Sequence, residues 1–545
     1  MHLIPSTATL AAVLVLVGCS GMPGAGPQKD KTYHLTILHT NDHHGHFWKN
    51  GDGEYGMAAR KTLIDQIRRE VAAEGGHSLL LDGGDVNTGV PESDLQDAVP
   101  DFKGMNLLGY DAMAVGNHEF DKPLATLKAQ RAMVQFPMLA ANIYENGKRM
   151  FEPYTVFNID GLRVGVMGLT TEDTRKMVSP ENIKTVEFRN AIDEARKVVP
   201  ELRAKSDIVI AATHMGHYEN ANHGSNAPGD VSMARAVNGI DLVVGGHTQN
   251  PACMKAENVL DREYVPGTAC KPDRQNGAWI VQAHEWGKYV GRADFEYRNG
   301  EFKLVKYALI PVNLMKSVKG TDGKSTKVPY TQQIAEDATM LALLKPYQDF
   351  GQQKLLVEIG STDGKLEGDR AVVRGQPASM AVLIGRGMME KTHADFAVVN
   401  SGGVRDSFGP GKLTYKDILK VQPFGNTIIT VDMTGKEVMD YLNAMAKMTA
   451  GSGAFAQFAG IRLVITQGVV TNASIKGAPI DMAKTYRMVN NKFSAEGGDG
   501  YPKITDHRTF VDTGYMDADV LRAYVSANSP LKAADYAPGD AVVRR

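Results

Sequence analysis

The 545-residue sequence holds only three cysteines and three tryptophans, and aromatic residues make up 7% of it. So few thiols leave no room for a disulfide-dense scaffold or a cysteine-rich metal centre. An excess of one charge is also missing. The 60 Lys and Arg residues stand against 62 Asp and Glu, so nothing in the balance implies affinity for nucleic acid or for a bulk membrane surface. The apolar run from Thr9 to Val17 is too short to span a bilayer. The hydrophobic fraction of 43% is ordinary for a soluble globular protein. The length exceeds a single core and predicts two domains, with room for a third.

What is present is a repeated pattern, an apolar strand followed by a polar loop. Leu35 to Leu38 runs into Asn41-Asp42-His43-His44-Gly45-His46. The same pattern recurs at Ser78 to Asp85, at Ala112 to Asp121, at Ile208 to His214 and at Leu242 to Gln249. In an open α/β sheet, sites form at the carboxyl ends of strands. Five such ends bring Asp42, His44, Asp85, Asn117, His214, His247 and Gln249 to one edge. Mixed carboxylate, amide and imidazole donors suit Zn, Mn, Co or Mg. The set is too large for one tetrahedral ion and large enough for two divalent ions sharing a bridge. Asp85, isolated between the two groups, is the natural shared ligand.

These motifs, T-N-D-H-H-G-H, D-G-G-D, G-N-H-E-F-D, T-H-M-G-H and G-G-H-T-Q, resemble those of the calcineurin-like metallophosphatases. Together with the distal half, the chain from about Tyr33 onward is similar to the bacterial periplasmic 5′-nucleotidase/UDP-sugar hydrolase family. The resemblance implies an N-terminal four-layer αββα domain and a smaller α/β C-terminal substrate-binding domain, joined by a helical hinge about which the domains rotate. It also implies a His118–Asp121 dyad that stabilises the transferring phosphoryl group or protonates the leaving oxygen. The other reading of Glu119 and Asp121 is that they cap a helix starting near Pro123. His43, His46, His217 and His223 are expected to be supporting or incidental.

Residues 1–19 read as an export signal and 20–31 as a Gly/Pro-rich tether. Leu16-Val17-Gly18-Cys19 resembles a lipobox, in which Cys19 carries the lipid, although Met1 to Ala8 contains no Lys or Arg. A plain secretory signal leading to a soluble periplasmic protein is the alternative. Ser20 after the cysteine favours the outer membrane by analogy with sorting signals. Cys253 and Cys270 then remain as an even pair in an exported chain and read as a disulfide bracing an active-site loop. The alternative is two free buried thiols, against which the polar, Pro- and Gly-containing surroundings argue. The related nucleotidases carry a similar pair.

The metallophosphatase domain is placed at 32–333, with helices over Met57 to Ala73 and Phe188 to Lys205. Trp279 to His284 and Gly291 to Tyr297 are expected to complete a second sheet. Residues 334–356 read as a linker helix, interrupted or kinked at Pro346. The second domain, 357–545, supplies nucleotide-binding groups. Arg370, Arg374 and Arg405 offer guanidinium forks for phosphate. Phe424 and Phe493 sit in loops, where an aromatic ring can stack on a base. The resemblance implies that these two rings sandwich the base, Asn426 touches its edge, and Asp499 accepts from the ribose hydroxyls.

The reading is a monomeric, metal-dependent hydrolase of nucleoside 5′-phosphates, and also of di- and triphosphates and UDP-sugars. A metal-activated water would release nucleoside and phosphate for salvage. One alternative is a 2′,3′-cyclic phosphodiesterase/3′-nucleotidase on a similar plan. The other is a surface lipoprotein that binds nucleotide or metal without turnover.

Overall fold

The strand Tyr33–Thr40 is buried at every position but His34, as a strand covered on both faces must be. In the computed structural model it occupies the middle of a six-stranded sheet. The structure describes residues 26–545 except 179, 224–226, 321–324, 423, 424, 449 and 540. Cys19 and Phe424 therefore lie outside the described residues.

The order of this sheet is Glu301–Pro311, Tyr289–Arg298, Tyr33–Thr40, His77–Asp82, Ala112–Ala114 and Met138–Leu139. A second six-stranded sheet runs Asp273–Gln275, Ala278–Val281, Leu242–Val244, Ile208–His214, Leu162–Thr170 and Tyr154–Ile159. Alternate side chains of each strand point to opposite faces, and the core divides accordingly. Ile37, Leu79 and Ala112 meet Val166, Ile210 and Val244 in a cluster between the sheets. Leu38, Leu80 and Met113 pack outward against Ile64, Ile67 and Phe102. Met167, Val209 and Val243 pack against Ala195, Val198 and Leu202 on the far side. The result is four layers, helix, sheet, sheet, helix.

The helix Met57–Ala73 has the expected bounds. The second expected helix begins three residues later, at Ala191, because Asn190 caps it by accepting from the N–H of Asp193. The strand Tyr289–Arg298, expected in the second sheet, pairs antiparallel with Tyr33–Thr40 in the first, with Ala293 opposite Ile37. Ala278–Val281 does join the second sheet, parallel to Leu242–Val244.

The linker helix Ala338–Leu355 is not interrupted at Pro346. Proline removes one backbone donor and leaves the carbonyl four residues earlier unpaired. Both Pro346 and Ala342 face solvent, so water can satisfy that carbonyl. Met340 and Leu344 pack into the first domain, and Leu355 packs into the second.

The second domain is built on a five-stranded sheet, ordered Ala456–Ala459, Phe396–Asn400, Thr485–Asn491, Thr427–Thr434 and Val511–Met516. Phe396 and Val398 enter one core cluster, and Ala397 and Val399 enter another on the opposite face. The ends of Phe396–Asn400 and Thr485–Asn491 carry the loops that form its cavity.

Candidate active site

The glycines of the strand-end loops let those loops approach closely. A Cβ on Gly116 would lie 2.1 Å from Oδ1 of Asp85, and one on Gly246 would lie 3.1 Å from Oδ2 of Asp42. Asp42, His44, Asp85, His247 and Gln249 all have positive φ, between 49° and 80°. Non-glycine residues rarely adopt this conformation, and its concentration here is backbone strain held at a functional site.

Asp85 is the hub. Its carboxylate belongs to two groups whose candidate ligand atoms lie within 4.8 Å of one another, one with His44 and His118, the other with His214 and His247. Nε2 of His214 is 2.8 Å from Oδ2 of Asp85. Nε2 of His44 is 3.8 Å from the same oxygen and 3.7 Å from Oδ1 of Asp42. The amide of Gln249 touches Nε2 of His44 at 2.8 Å. Oδ1 of Asn117 and Oδ1 of Asp42 are both buried and have no hydrogen-bond partner among the described residues.

The opposite ring nitrogens are already in use. Nδ1 of His214 donates to the Gly83 carbonyl at 2.7 Å, and Nδ1 of His44 donates to the Thr88 carbonyl at 2.9 Å. This fixes the tautomer in which Nε2 carries a lone pair. Lone pairs of imidazole, carboxylate and amide then converge in a buried space, which is the donor set of a divalent cation. All seven predicted ligand residues thus lie at strand ends of the two sheets or on the loops that follow them.

His118 and Asp121 form the expected pair, with Nδ1 to Oδ2 at 2.6 Å. Thr88 also donates to that carboxylate oxygen, at 2.6 Å. Burial alone favours the neutral His118 ring, but the carboxylates of Asp121 and Asp85 outweigh it and push the pKa up to about 10. Neither Glu119 nor Asp121 caps the following helix, Leu124–Met133, whose N-cap is Pro123 without a side-chain bond.

Glu119 does something that sequence reasoning missed. Fully buried, it accepts from the N–H groups of Gly116 at 2.6 Å, Val86 at 2.8 Å and Asp85 at 3.1 Å. It ties the Asp85 loop to the Asn117 loop. Asp82 was also passed over. It accepts from Thr40 and from the Gly84 N–H, and so holds the Gly-Gly turn that leads to Asp85. The only sequence signal for either was a carboxylate beside a ligand.

Cys253 and Cys270 are joined as a disulfide. Contrary to the expectation drawn from their surroundings, both are buried, at 2% and 7% exposure, in the cluster between the sheets. His217, expected to be supporting or incidental, is buried, donates its N–H to Oγ1 of Thr248 at 3.1 Å and bonds Asp273 at 2.9 Å.

In the second domain, a cavity of about 360 Å³ is lined by Arg374, Arg405, Asn426, Phe493 and Asp499, with Asn400 and glycines of two loops. Arg370 does not line it. Its charge, with that of Arg405, adds to desolvation in lowering the pKa of Arg374. Phe493 is 42% exposed, as a ring awaiting a stacking partner would be. Among the described residues, those that line this cavity all belong to the second domain. Asp121 instead lines an interdomain cleft, where Thr88, Asp94 and Leu95 face Tyr415, Tyr515 and Ala523. The short helix that carries Phe493 also lies near the donor set, since the charge of the neighbouring Lys492 acts on His118 and His247.

Among the described residues, no helix is long and apolar enough to cross a membrane. Residues 35–251 match the family model of calcineurin-like phosphoesterases, and residues 358–506 match that of the 5′-nucleotidase C-terminal domain. The chain is 58% identical over 517 residues to Protein UshA of Escherichia coli strain K12, covering 94% of each. It is 54% identical over 549 residues to a 5′-nucleotidase of Vibrio cholerae, covering 100% of this chain and 99% of that one. The solved structure of Haemophilus influenzae NAD nucleotidase superposes with a TM-score of 0.69 at 22% identity, covering 94% of this chain and 99% of the other, which bears on the fold. The chain therefore belongs to the family of 5′-nucleotidases in which a calcineurin-like metallophosphatase domain precedes a 5′-nucleotidase C-terminal domain.

Proposed function

We propose that this chain hydrolyses nucleoside 5′-phosphates to nucleoside and phosphate, and also accepts nucleoside di- and triphosphates and UDP-sugars. The observation that carries the reading is Asp85, shared by two ligand groups with the His118–Asp121 pair beside it. Such a donor set would hold two divalent ions, with Asp42, His44, Asp85, Asn117, His214, His247 and Gln249 as ligands and Asp85 shared. Zn, Mn, Co and Mg all suit these atoms. When bound, the ions supply Lewis acidity for the in-line attack of water on phosphorus.

The chain's own residues do the rest. Asp121 accepts from Nδ1 of His118 and so turns Nε2 toward the reacting phosphoryl group, where its proton can neutralise charge on a phosphoryl or leaving oxygen. Arg370, Arg374 and Arg405 hold phosphate oxygens. Phe493 and Phe424 stack on the base, which accepts any base. Asn426 contacts the base edge, and Asp499 accepts from the ribose hydroxyls. The second domain rotates about the linker helix Ala338–Leu355 to carry bound nucleotide to the metal-type residues.

Export and lipidation at Cys19 would place this activity at the outer membrane, where it would serve salvage of external nucleotides. Loss of detergent partitioning in a Cys19→Ser chain tests the anchor.

The test of function is phosphate release from AMP, 3′-AMP, 2′,3′-cyclic AMP and UDP-glucose by chelator-stripped protein reloaded with Mn, Zn, Co or Mg. Metal-restored release from AMP ahead of 3′-AMP is expected. Preference for the cyclic or 3′ substrates would move the function to a cyclic phosphodiesterase/3′-nucleotidase. No release with metal bound would leave a binding protein.

A further inference from the structure

The nucleotide cavity contains a directed chain of side-chain amides that ends on Asp499. Asn491 closes the strand Thr485–Asn491 and caps the short helix Lys492–Ala495, its Oδ1 accepting from the N–H of Ser494 at 3.0 Å. Its Nδ2 donates to Oδ1 of Asn400 at 2.8 Å. Nδ2 of Asn400 in turn donates to Oδ2 of Asp499 at 3.1 Å. Asn400 and Asn491 are 2% and 7% exposed, whereas Asp499 opens into the cavity.

An isolated Asn can present either face, because its oxygen and nitrogen are nearly the same shape. Here neither amide is free to turn. The Ser494 N–H can only donate, so it fixes the oxygen of Asn491 toward the backbone. That leaves the NH2 of Asn491 facing Asn400, which must meet it with oxygen and present its own NH2 to Asp499. Each bond polarises the next. Glycine leaves room for the last link. A Cβ on Gly402 or Gly453 would lie 3.1 or 3.2 Å from Oδ2 of Asp499, and one on Gly403 would lie 2.9 Å from Oδ1 of Asn400. Asp499 itself sits at φ 56°, so its loop is held in one strained conformation.

We propose that Asn491, acting through Asn400, is the positioning residue that makes this pocket select ribose. One carboxylate oxygen of Asp499 is pinned by the amide chain, and the other is left aimed into the cavity for the vicinal sugar hydroxyls. The same asparagine caps the helix that starts at Lys492 and carries Phe493, so base wall and sugar acceptor are set by one side chain. The inference rests on the nucleotidase reading above and adds a determinant of its specificity.

The discriminating variant is Asn491→Asp. Aspartate retains the helix cap, since it accepts from a backbone N–H as well as asparagine does. It lacks the NH2, and it sets a carboxylate against Oδ1 of Asn400. The Asn400 amide should then turn over and present oxygen to Asp499. On metal-loaded protein, the ratio of kcat/KM for AMP to that for 2′,3′-dideoxy-AMP is expected to fall about tenfold, the loss of one charge-assisted hydrogen bond, with the change carried by KM. Asn491→Ser also caps, and its single short hydroxyl cannot cap the helix and replace the NH2 that reaches Asn400. It should shift the ratio in the same direction, and it replaces the first variant if that one does not fold. Equal losses on both nucleotides, or an unchanged ratio, would overturn the proposal. A wild type that releases no phosphate from AMP would sink the nucleotidase reading itself. A wild type that hydrolyses AMP and dideoxy-AMP equally would sink only this inference.

Discussion

Asp85 presents one carboxylate oxygen 2.8 Å from Nε2 of His214, and the same oxygen is 3.8 Å from Nε2 of His44. A single side chain therefore serves both halves of the donor set. Replacing it should not remove one ion and spare the other. In Asp85→Asn the shape is kept and the bridging charge is lost. Metal content measured by mass spectrometry after gel filtration is expected to fall at both sites, and phosphate release from AMP by more than about a hundredfold, the upper range for groups one layer further out. Retention of a full metal complement would show that Asp85 is not shared.

Glu119 gives a sharper test, because it touches no ligand atom and no substrate. Its carboxylate gathers backbone N–H groups from the Asp85 and Asn117 loops. Glu119→Gln keeps the volume but turns one acceptor into a donor facing N–H groups. Each buried N–H left unpaired costs about 1–3 kcal/mol. The expected result is a folded protein with a lowered unfolding midpoint and metal affinity weakened by about 10–100-fold, measured by competition with a chromophoric chelator. Unchanged affinity would show that the two loops hold their strained conformations without it.

The difference between Asp85 and Glu119 marks what the sequence could reveal. Asp85 was legible because its type, its Gly-Gly turn and its place after a buried strand are all local. The same holds for His44, Asn117, His214 and His247, whereas alternating strands and helices imply only a layered α/β fold and the four-layer order came from the resemblance. Glu119 was not legible as a loop tie, since its partners lie up to 34 residues away and backbone donors leave no trace in side-chain identity. The sheet membership of Tyr289–Arg298 failed for a related reason. Alternation shows that a segment is a strand and says nothing of its neighbour, which here is Tyr33–Thr40. The burial of Cys253 and Cys270 was misjudged because polar neighbours in sequence are not neighbours in space. Pro346 stays inside a helix because its orphaned carbonyl partner faces water, a property of the helix's orientation rather than of the residue.

Asp517, the first residue of the helix Asp517–Asn528, predicts a pH effect away from the metal-type residues. It is 4% exposed, and burial pushes its pKa up to about 7. The folded protein thus binds this proton more tightly than the unfolded chain, whose Asp titrates near 3.9. Stability therefore falls as pH rises from about 4 to 7 and is flat above, the reverse of a carboxylate held by a salt bridge. Asp517→Asn removes this dependence. The gap in unfolding free energy between variant and wild type, from denaturant titrations of metal-free protein at pH 4.5 and 7.5, is expected to move in the variant's favour by on the order of 1–4 kcal/mol. A gap that moves the other way would mean that the carboxylate is stabilised as an anion.

The proposed rotation of the second domain can be tested directly. Asp121 lines the interdomain cleft, while Arg374, Arg405 and Phe493 line a cavity whose other walls, among the described residues, also come from the second domain. On the proposed reading, a nucleotide held in the second reaches the dyad when the second domain rotates. Leu95 and Ala523 line opposite walls of the cleft, and neither is among the proposed ligands or substrate contacts. Cysteines placed at both and joined by a bis-maleimide should lock this arrangement. The cross-linked protein is expected to bind metal as the parent does and to bind a non-hydrolysable AMP analogue, yet to lose phosphate release from AMP by about a hundredfold or more, since misplacement of reacting groups by as little as 1 Å can cost that much. The doubly substituted protein without linker is the control and should turn over normally. Full activity in the locked form would mean that the nucleotide reaches the dyad in the arrangement seen here, and that rotation about the helix Ala338–Leu355 is not part of the cycle.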